Sequence, residues 1–317
     1  MTPQEIAEAR QRRYNATVVS LQKPNSDLMI MRVRTDFPRP SHLPGQYCSL
    51  GLGHWEPRLP GCQEEHLNPG DERKLVRRAY SLSCSVIEPS AADPDEVRLL
   101  HLEGTDWLEF YIVLVRENAD PARPPGLTPR LFMLREGDRL QVGDRIVGHY
   151  TLEPVLPGDT VLFLATGTGE APHNYMIWEL LRRHHAGKIL SACCVRYGRD
   201  LGYRSVHDRL MKAYPNYRYL SLTTREGGPG SRKVYIQDLI QSGQLEEVIG
   251  ETLDPARTHV FLCGNPRMIG VPVKDAVTGA RNYPDDLGVI EVLERRGFRA
   301  DDARIKFKGN IHFEEYW

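Results

Sequence analysis

The segment VLFLATGTGEAPHNYMIWEL, Val161 to Leu180, runs an apolar stretch into Gly167-Thr168-Gly169 and then into a helical pattern. Two glycines at a strand-to-helix turn allow close backbone approach and leave N–H groups at a helix start, which is chemistry suited to a dinucleotide. The spacing is not G-x-G-x-x-G, so the turn alone reads equally well as a structural one. A second group, Thr224-Arg225-Glu226 followed by Lys233-Val234-Tyr235-Ile236-Gln237, supplies hydroxyl, positive charge and an aromatic face. That combination suits an adenosine 2′-phosphate, an anion that needs fixed positive charge, with Tyr235 free to stack on the base. Cys263 ends a third apolar run, at the strand edge where ligands bind in parallel sheets. The six cysteines contain no C-x-x-C pair, so no iron–sulfur or zinc ligand set is expected, and most read as small apolar core residues.

Two kinds of element must hold these residues. In the first half short β-rich runs recur at Leu28–Val33, Gln46–Leu50, Ala79–Val86, Val97–Leu102, Phe110–Val115 and Arg139–Ile146, separated by Pro, Gly and Asp clusters. This pattern predicts an antiparallel β-barrel, with Gly51–Arg77 and Glu117–Pro125 as surface loops. From Val161 the continuous apolar runs Val161–Ala165, Ile189–Val195, Tyr217–Leu222 and Thr258–Cys263 alternate with helical periodicity, as in Ile177, Leu180 and Leu181, Val206 and Leu210, and Ile236, Leu239 and Ile240. An α/β domain with a parallel sheet covered on both faces is expected. Pro154, Pro157 and Gly158 mark the boundary, giving a 1–13 extension, a 14–153 barrel domain and a 154–317 α/β domain.

Four segments, in order, resemble the ferredoxin–NADP reductase family over roughly Tyr14 to Trp317. Arg78-Ala79-Tyr80-Ser81 is similar to its R-x-Y-S flavin motif, and Ala165–Pro172 to its ATGTGIAP nicotinamide turn. Cys263-Gly264-Asn265-Pro266 with Met268 is similar to its CGNPxM segment, and the chain ends GNIHFEEYW. The resemblance implies an FAD-binding antiparallel β-barrel domain followed by an NADP-binding α/β domain, passing electrons between NADP(H) and ferredoxin or flavodoxin. On this match Arg78 pairs with the FAD pyrophosphate, Tyr80 lies on the isoalloxazine, and Ser81 hydrogen-bonds the ring nitrogen that accepts hydride, with Ala79 between them. Tyr111-Ile112-Val113-Leu114 and Gly126-Leu127-Thr128 match the adenosine and pyrophosphate contacts. Thr168 also falls to FAD, Tyr316 covers the isoalloxazine and Trp317 packs near the adenine. Gly167, Gly169, Gly264, Asn265 and Pro266 fall to NADP, with Arg196, Thr224, Arg225, Lys233 and Tyr235 at its phosphate end. Cys263 borders the nicotinamide carbon that gives up hydride, and Glu314 with Ser81 routes protons. Outside the resemblance, Arg78 and Arg196 read as surface arginines, Glu314 as a solvated acid, and Tyr316 and Trp317 as a terminal strand edge.

The chain departs from the family's GTGIAPF at Glu170 and His173. Two readings stand: a carboxylate and a histidine titrating near neutral pH that act on the nicotinamide site, or side chains facing solvent from a first helical turn that favours Glu. The formal net charge of −1 gives no reason to expect nucleic acid or a membrane surface. No apolar run reaches the roughly 20 residues of a membrane helix and MTPQEIAEARQRR has no apolar signal segment, so the cytoplasm is expected; a monomer is the expected state, with no residue pattern that sets it. Arg73, Lys74 and Arg77 are the basic patch expected to meet an acidic carrier. The alternatives are a reductase feeding an oxygenase and a flavin-binding subunit of a larger electron-transfer complex. The latter leaves Arg225, Lys233 and Tyr235 without a use.

Overall fold

In the computed structural model, which describes residues 1–88, 96–227, 232–275, 278, 280–302 and 305–316, the charged N-terminus is a helix, α1 (Pro3–Arg13). Its start is a capping box: Thr2 Oγ1 accepts from Glu5 N at 3.2 Å, and Glu5 Oε2 accepts from Thr2 N at 2.6 Å. Pro3 occupies the first turn, where no N–H is needed.

The chain divides into two units, Met1–Cys84 with His101–His149, and Ser85–Leu100 with Tyr150–Trp317. The first holds β1 (Ala16–Asn25), β2 (Leu28–Thr35), β3 (Tyr47–Gly53), β4 (Leu75–Ser81), β5 (Trp107–Val113), the short α2 (Thr128–Leu131) and β6 (Arg139–Val142). They form one antiparallel sheet in the order β4-β3-β6-β1-β2-β5. The bridge Ser83↔Glu109 joins its two outer ends, as barrel closure requires. Met29, Met31, Val33, Leu50, Leu52, Phe110, Ile112 and Leu140 fill its core.

Several expected boundaries are corrected. β1 escapes a period-of-two search because its burial does not alternate cleanly and its register slips between Val18 and Ser20. The strand expected at Ala79–Val86 is β4, shifted to Leu75–Ser81, and Arg139–Ile146 ends at Val142. Gly51–Arg77 is not wholly loop, since it contains the end of β3 and the start of β4. Its irregular middle is fastened by the buried Arg130, which donates to Glu65 Oε2 at 2.6 Å, to His54 O at 2.9 Å and to Gly126 O at 2.6 Å. A guanidinium taken out of water must find such partners, and it draws the loop onto the 126–130 turn.

In the second unit β7 (Thr160–Thr166), α3 (Glu170–Arg182), β8 (Ile189–Val195), α4 (Arg204–Ala213) and β9 (Tyr217–Thr223) are followed by α5 (Ile236–Gln241), α6 (Gln244–Ile249) and β10 (Thr258–Gly264). Then come α7 (Pro266–Ile269), the hairpin β11 (Val273–Lys274) and β12 (Arg281–Asn282), α8 (Val289–Glu294) and β13 (Ile311–Glu315). The main sheet is wholly parallel in the order β13-β10-β7-β8-β9. The chain leaves β7 toward β8 and β9 and returns on its other side as β10. The crevice between the ends of β7 and β10 is thus the topological switch point, where such sheets bind ligands.

Val97–Leu102 is not a strand. Leu99 forms an isolated bridge with Ile87, Leu100 N donates to Val86 O at 2.8 Å, and the backbone carbonyl of Leu100 accepts from Trp178 Nε1 of α3 at 2.8 Å. The C-terminal strand β13 adds a fifth member to the four predicted. It is fastened to β10 by His259 Nδ1 against His312 Nε2 at 3.1 Å, and to Asp301 Oδ2 by His312 Nδ1 at 2.9 Å. Burial alone would raise the Asp301 carboxyl, but the His312 hydrogen bond and charge hold it below the usual carboxylate range. Among the described residues no helix is long and apolar enough to cross a membrane.

Candidate functional site

At the carboxyl end of β7, Gly167 takes a left-handed φ of +55°, and a Cβ there would meet nothing within 4 Å. This side of the turn is open. A Cβ on Gly169 would instead fall 2.2 Å from Cys263 O, so glycine is required where the turn packs on the end of β10. Thr166 Oγ1 accepts from Asn265 N at 2.7 Å, Tyr316 N donates to Gly264 O at 2.8 Å, and Asn265 Oδ1 caps α7. Gly167, Thr168, Gly169, Cys263, Gly264, Asn265 and Pro266 are thereby gathered at the switch point with Tyr316. Thr166 was missed by sequence reasoning, although a hydroxyl ending a buried strand immediately before the glycine turn was the available signal.

Cys263 is fully buried and lies opposite Glu314 in the β10–β13 register. Burial pushes its thiol well up, the Glu314 charge adds to this, and a hydrogen bond with Tyr316 eases it. It is a packed thiol rather than a thiolate nucleophile.

Glu170 and His173 do not face solvent. Glu170 is 1% exposed and accepts from Tyr219 OH at 2.9 Å, with His207 Nε2 at 3.1 Å. His173 is completely buried against Phe163, with Nε2 2.7 Å from the Tyr150 hydroxyl. Burial lowers it to about 3, which overturns the expectation of titration near neutral pH. The Tyr150 phenol is itself pushed well above its ordinary value, first by burial and then by Cys263 and Glu314.

Arg196, Thr224 and Arg225 come together at the ends of β8 and β9. Thr224 N and Oγ1 both donate to Val195 O, at 3.0 and 3.2 Å, and Arg225 N donates to Arg196 O at 2.9 Å. Both guanidinium groups are exposed, as are Lys233 and Tyr235 just before α5. Two exposed guanidinium side chains thus leave adjacent strand ends at the sheet's carboxyl edge.

In the first unit, Arg78 and Ala79 are exposed on the outer strand β4, Tyr80 is half-buried and Ser81 is buried. Arg78 Nη1 donates to Arg77 O at 2.8 Å, and burial raises the Tyr80 phenol. Tyr111, Ile112 and Leu114 are buried, and Val113 is exposed. Thr128 Oγ1 accepts from Val115 N at 3.1 Å and so ties Gly126-Leu127-Thr128 to the end of β5. The 111–114 and 126–128 segments are neighbours for that reason. Trp317 lies outside the described residues. The expected basic patch is largely neutralised within the unit: Arg73 pairs with Glu5 at 3.0 Å and Lys74 with Asp71 at 2.7 Å, while Arg77 bonds Gln141.

Residues 163–274 match the family model described as an oxidoreductase NAD-binding domain. A flavodoxin/ferredoxin–NADP reductase of Escherichia coli is 34% identical over 163 residues, covering 51% of this chain and 63% of the relative, so the chain matches less than two thirds of its length. Ferredoxin–NADP reductase A of Sorangium cellulosum is 32% identical over 234 residues, 71% of this chain and 69% of the relative. A ferredoxin NADP+ reductase from Neisseria gonorrhoeae, solved with bound FAD and NADP, shares the fold with a TM-score of 0.64 at 20% identity, covering 95% of this chain and 97% of that one. The 32% identity with the Sorangium reductase over more than two thirds of its length places the chain in the ferredoxin–NADP reductase family.

Proposed function

We propose that the protein is an FAD-dependent reductase that moves electrons between NADP(H) and ferredoxin or flavodoxin, acting as a cytosolic monomer. The observation that carries this reading is the clamped pair of loops at the β7/β10 switch point, with the exposed Arg196 and Arg225 on the same sheet edge. The donor set of the first unit fits FAD, because an exposed guanidinium on an outer strand and a turn secured by Thr128 are suited to a pyrophosphate. Bound FAD would supply the conversion between two-electron hydride chemistry and single-electron transfer. In this reading Arg78, Ala79, Tyr80, Ser81, residues 111–114 and 126–128, Thr168, Tyr316 and Trp317 hold the flavin. The 167–169 turn and Gly264, Asn265 and Pro266 hold the nicotinamide half of NADP. Arg196, Thr224, Arg225, Lys233 and Tyr235 select its 2′-phosphate, while Cys263 would border the nicotinamide carbon that gives up hydride and Glu314 with Ser81 handles the proton.

Arg78→Ala is expected to weaken FAD retention about tenfold, the scale of one charge-assisted contact. Fluorescence of released flavin on dilution measures it, and retention equal to wild type would remove Arg78 from the pyrophosphate. The activity itself is tested with purified protein and NADPH. Ferricyanide reduction is expected without further components, and reduction of a ferredoxin or flavodoxin on adding one. Ferricyanide reduction with neither carrier accepting electrons would favour a different partner.

A further inference from the structure

The 126–128 turn of the first unit is held on one side by the 54–65 segment and by a buried arginine. Arg58 Nη2 donates to Pro125 O at 3.0 Å and to Gln63 O at 2.8 Å. Arg130 Nη1 donates to Gly126 O at 2.6 Å, and Leu59 N donates to Pro129 O at 2.9 Å. Both guanidinium groups converge on Glu65 Oε2, with Arg130 Nη2 at 2.6 Å and Arg58 Nε at 4.0 Å. The side chains of Arg130, Glu65 and Arg58 are only 2%, 8% and 18% exposed. An arginine keeps its charge in such surroundings, so its position is dictated by the oxygens it has found.

These bonds set the direction of the backbone. None of the described peptide bonds is cis, so the C=O and N–H of one peptide unit point opposite ways. Drawing Pro125 O and Gly126 O toward Glu65 therefore turns the N–H groups of Gly126 and Leu127 to the other side. Both residues are buried, and among the described residues neither N–H meets an acceptor. Buried backbone donors are seldom left so, and two successive ones aimed the same way suit a phosphate. The turn is also fixed sideways: a Cβ on Gly126 would stand 3.1 Å from Glu65 Oε1 and 3.1 Å from Val76 Cγ2. Val76 lies two residues before Arg78 on the same face of β4, so the packing at Gly126 sets the spacing between the turn and that strand.

We propose that Arg58, Glu65 and Arg130 are positioning residues for FAD, holding the turn's carbonyls inward so that the Gly126 and Leu127 N–H groups face the pyrophosphate. The inference deepens the reading of 126–128 as the pyrophosphate turn and rests on it. None of the three side chains needs to touch the cofactor, since each acts through the backbone it holds. The 54–65 segment, which has the composition of a surface loop, thereby belongs to the flavin site.

The test is fluorescence titration of the full-length protein, freed of flavin, with FAD and with riboflavin, which has the same isoalloxazine but no pyrophosphate. Arg130→Lys keeps the charge but replaces a fork that reaches three oxygens with a single ammonium. It should weaken FAD about tenfold, the scale of one charge-assisted contact, and leave riboflavin within about twofold. Glu65→Ala leaves both guanidinium charges in place, so attraction between charges alone would keep FAD as tight as in wild type or tighter. Loss of the fixed turn should instead weaken FAD about three- to tenfold. Equal weakening of FAD and riboflavin would mean that these residues only support the fold, and unchanged or tighter FAD binding in Glu65→Ala would overturn the proposal outright. If Arg130→Lys fails to fold, Glu65→Ala decides alone, because Glu65 sits on a loop. Wild type binding FAD no more tightly than riboflavin would defeat the pyrophosphate reading of the turn, and this inference with it, whereas a preference for FAD that both variants retain in full would sink the positioning role alone.

Discussion

His173→Gln should flatten the acid limb of the stability profile. An unfolded histidine takes up its proton near pH 6.5, whereas burial holds folded His173 down to about 3. The folded value is depressed, so the stability of the neutral ring is complete above the unfolded value and declines as pH falls through the interval between the two. The decline is about 1.4 kcal/mol per pH unit, or roughly 3 kcal/mol by pH 4.5. Glutamine does not titrate and can still meet the Tyr150 hydroxyl. Urea unfolding at pH 7.5 and pH 4.5 should therefore show a gap between the two pH values that is smaller by about 3 kcal/mol in the variant. His259, lowered by burial and then by His312, contributes in the same direction but is present in both proteins and cancels. Asp301 is held below the usual carboxylate range, so its contribution persists throughout this window. Equal gaps in the two proteins would mean that His173 is not a buried neutral ring.

Arg225→Ala should lower kcat/KM for NADPH by about ten- to a hundredfold, the scale of one lost charged contact to a phosphate, while leaving NADH almost unchanged. The backbone of Arg225 is tied to Arg196 O and that of Thr224 to Val195 O, so the substitution removes a guanidinium from a scaffold that remains in place. Side-by-side steady-state kinetics with the two cofactors isolate the 2′-phosphate, since it is their only difference. A parallel loss with both would place Arg225 at the pyrophosphate, and no loss with either would acquit it.

The parallel sheet was legible because β7, β8 and β10 are buried on both faces and appear as unbroken apolar runs. The barrel was legible as a class but not in its boundaries. β1 carries a bulge, and Val97–Leu102 has strand composition but makes an isolated bridge with Ile87 and lends the Leu100 carbonyl to Trp178 of α3. β13 was hidden because its last residues, Glu314 and Glu315, look solvated, although parallel pairing with β10 leaves both half-buried. At the candidate site the glycine turn and the arginines were visible as types at strand ends. The partners of Glu170 and His173 were not, since His207, Tyr219 and Tyr150 lie far off in sequence and are brought in only by the packing of α4, β9 and the segment before β7. For the same reason Arg73 and Lys74 read as a free basic patch, while their pairing with Glu5 and Asp71 depends on α1 and the turn before β4.

The central claim is that this chain holds FAD and passes the electrons of NADPH through it. An absorption spectrum of the purified protein, taken before and after anaerobic addition of one equivalent of NADPH, tests it most directly. An oxidised flavin band that bleaches with NADPH, and that returns when oxidised ferredoxin or flavodoxin is added, is the predicted result. A protein that shows no flavin band even after incubation with FAD, or whose band is unmoved by NADPH, would contradict it.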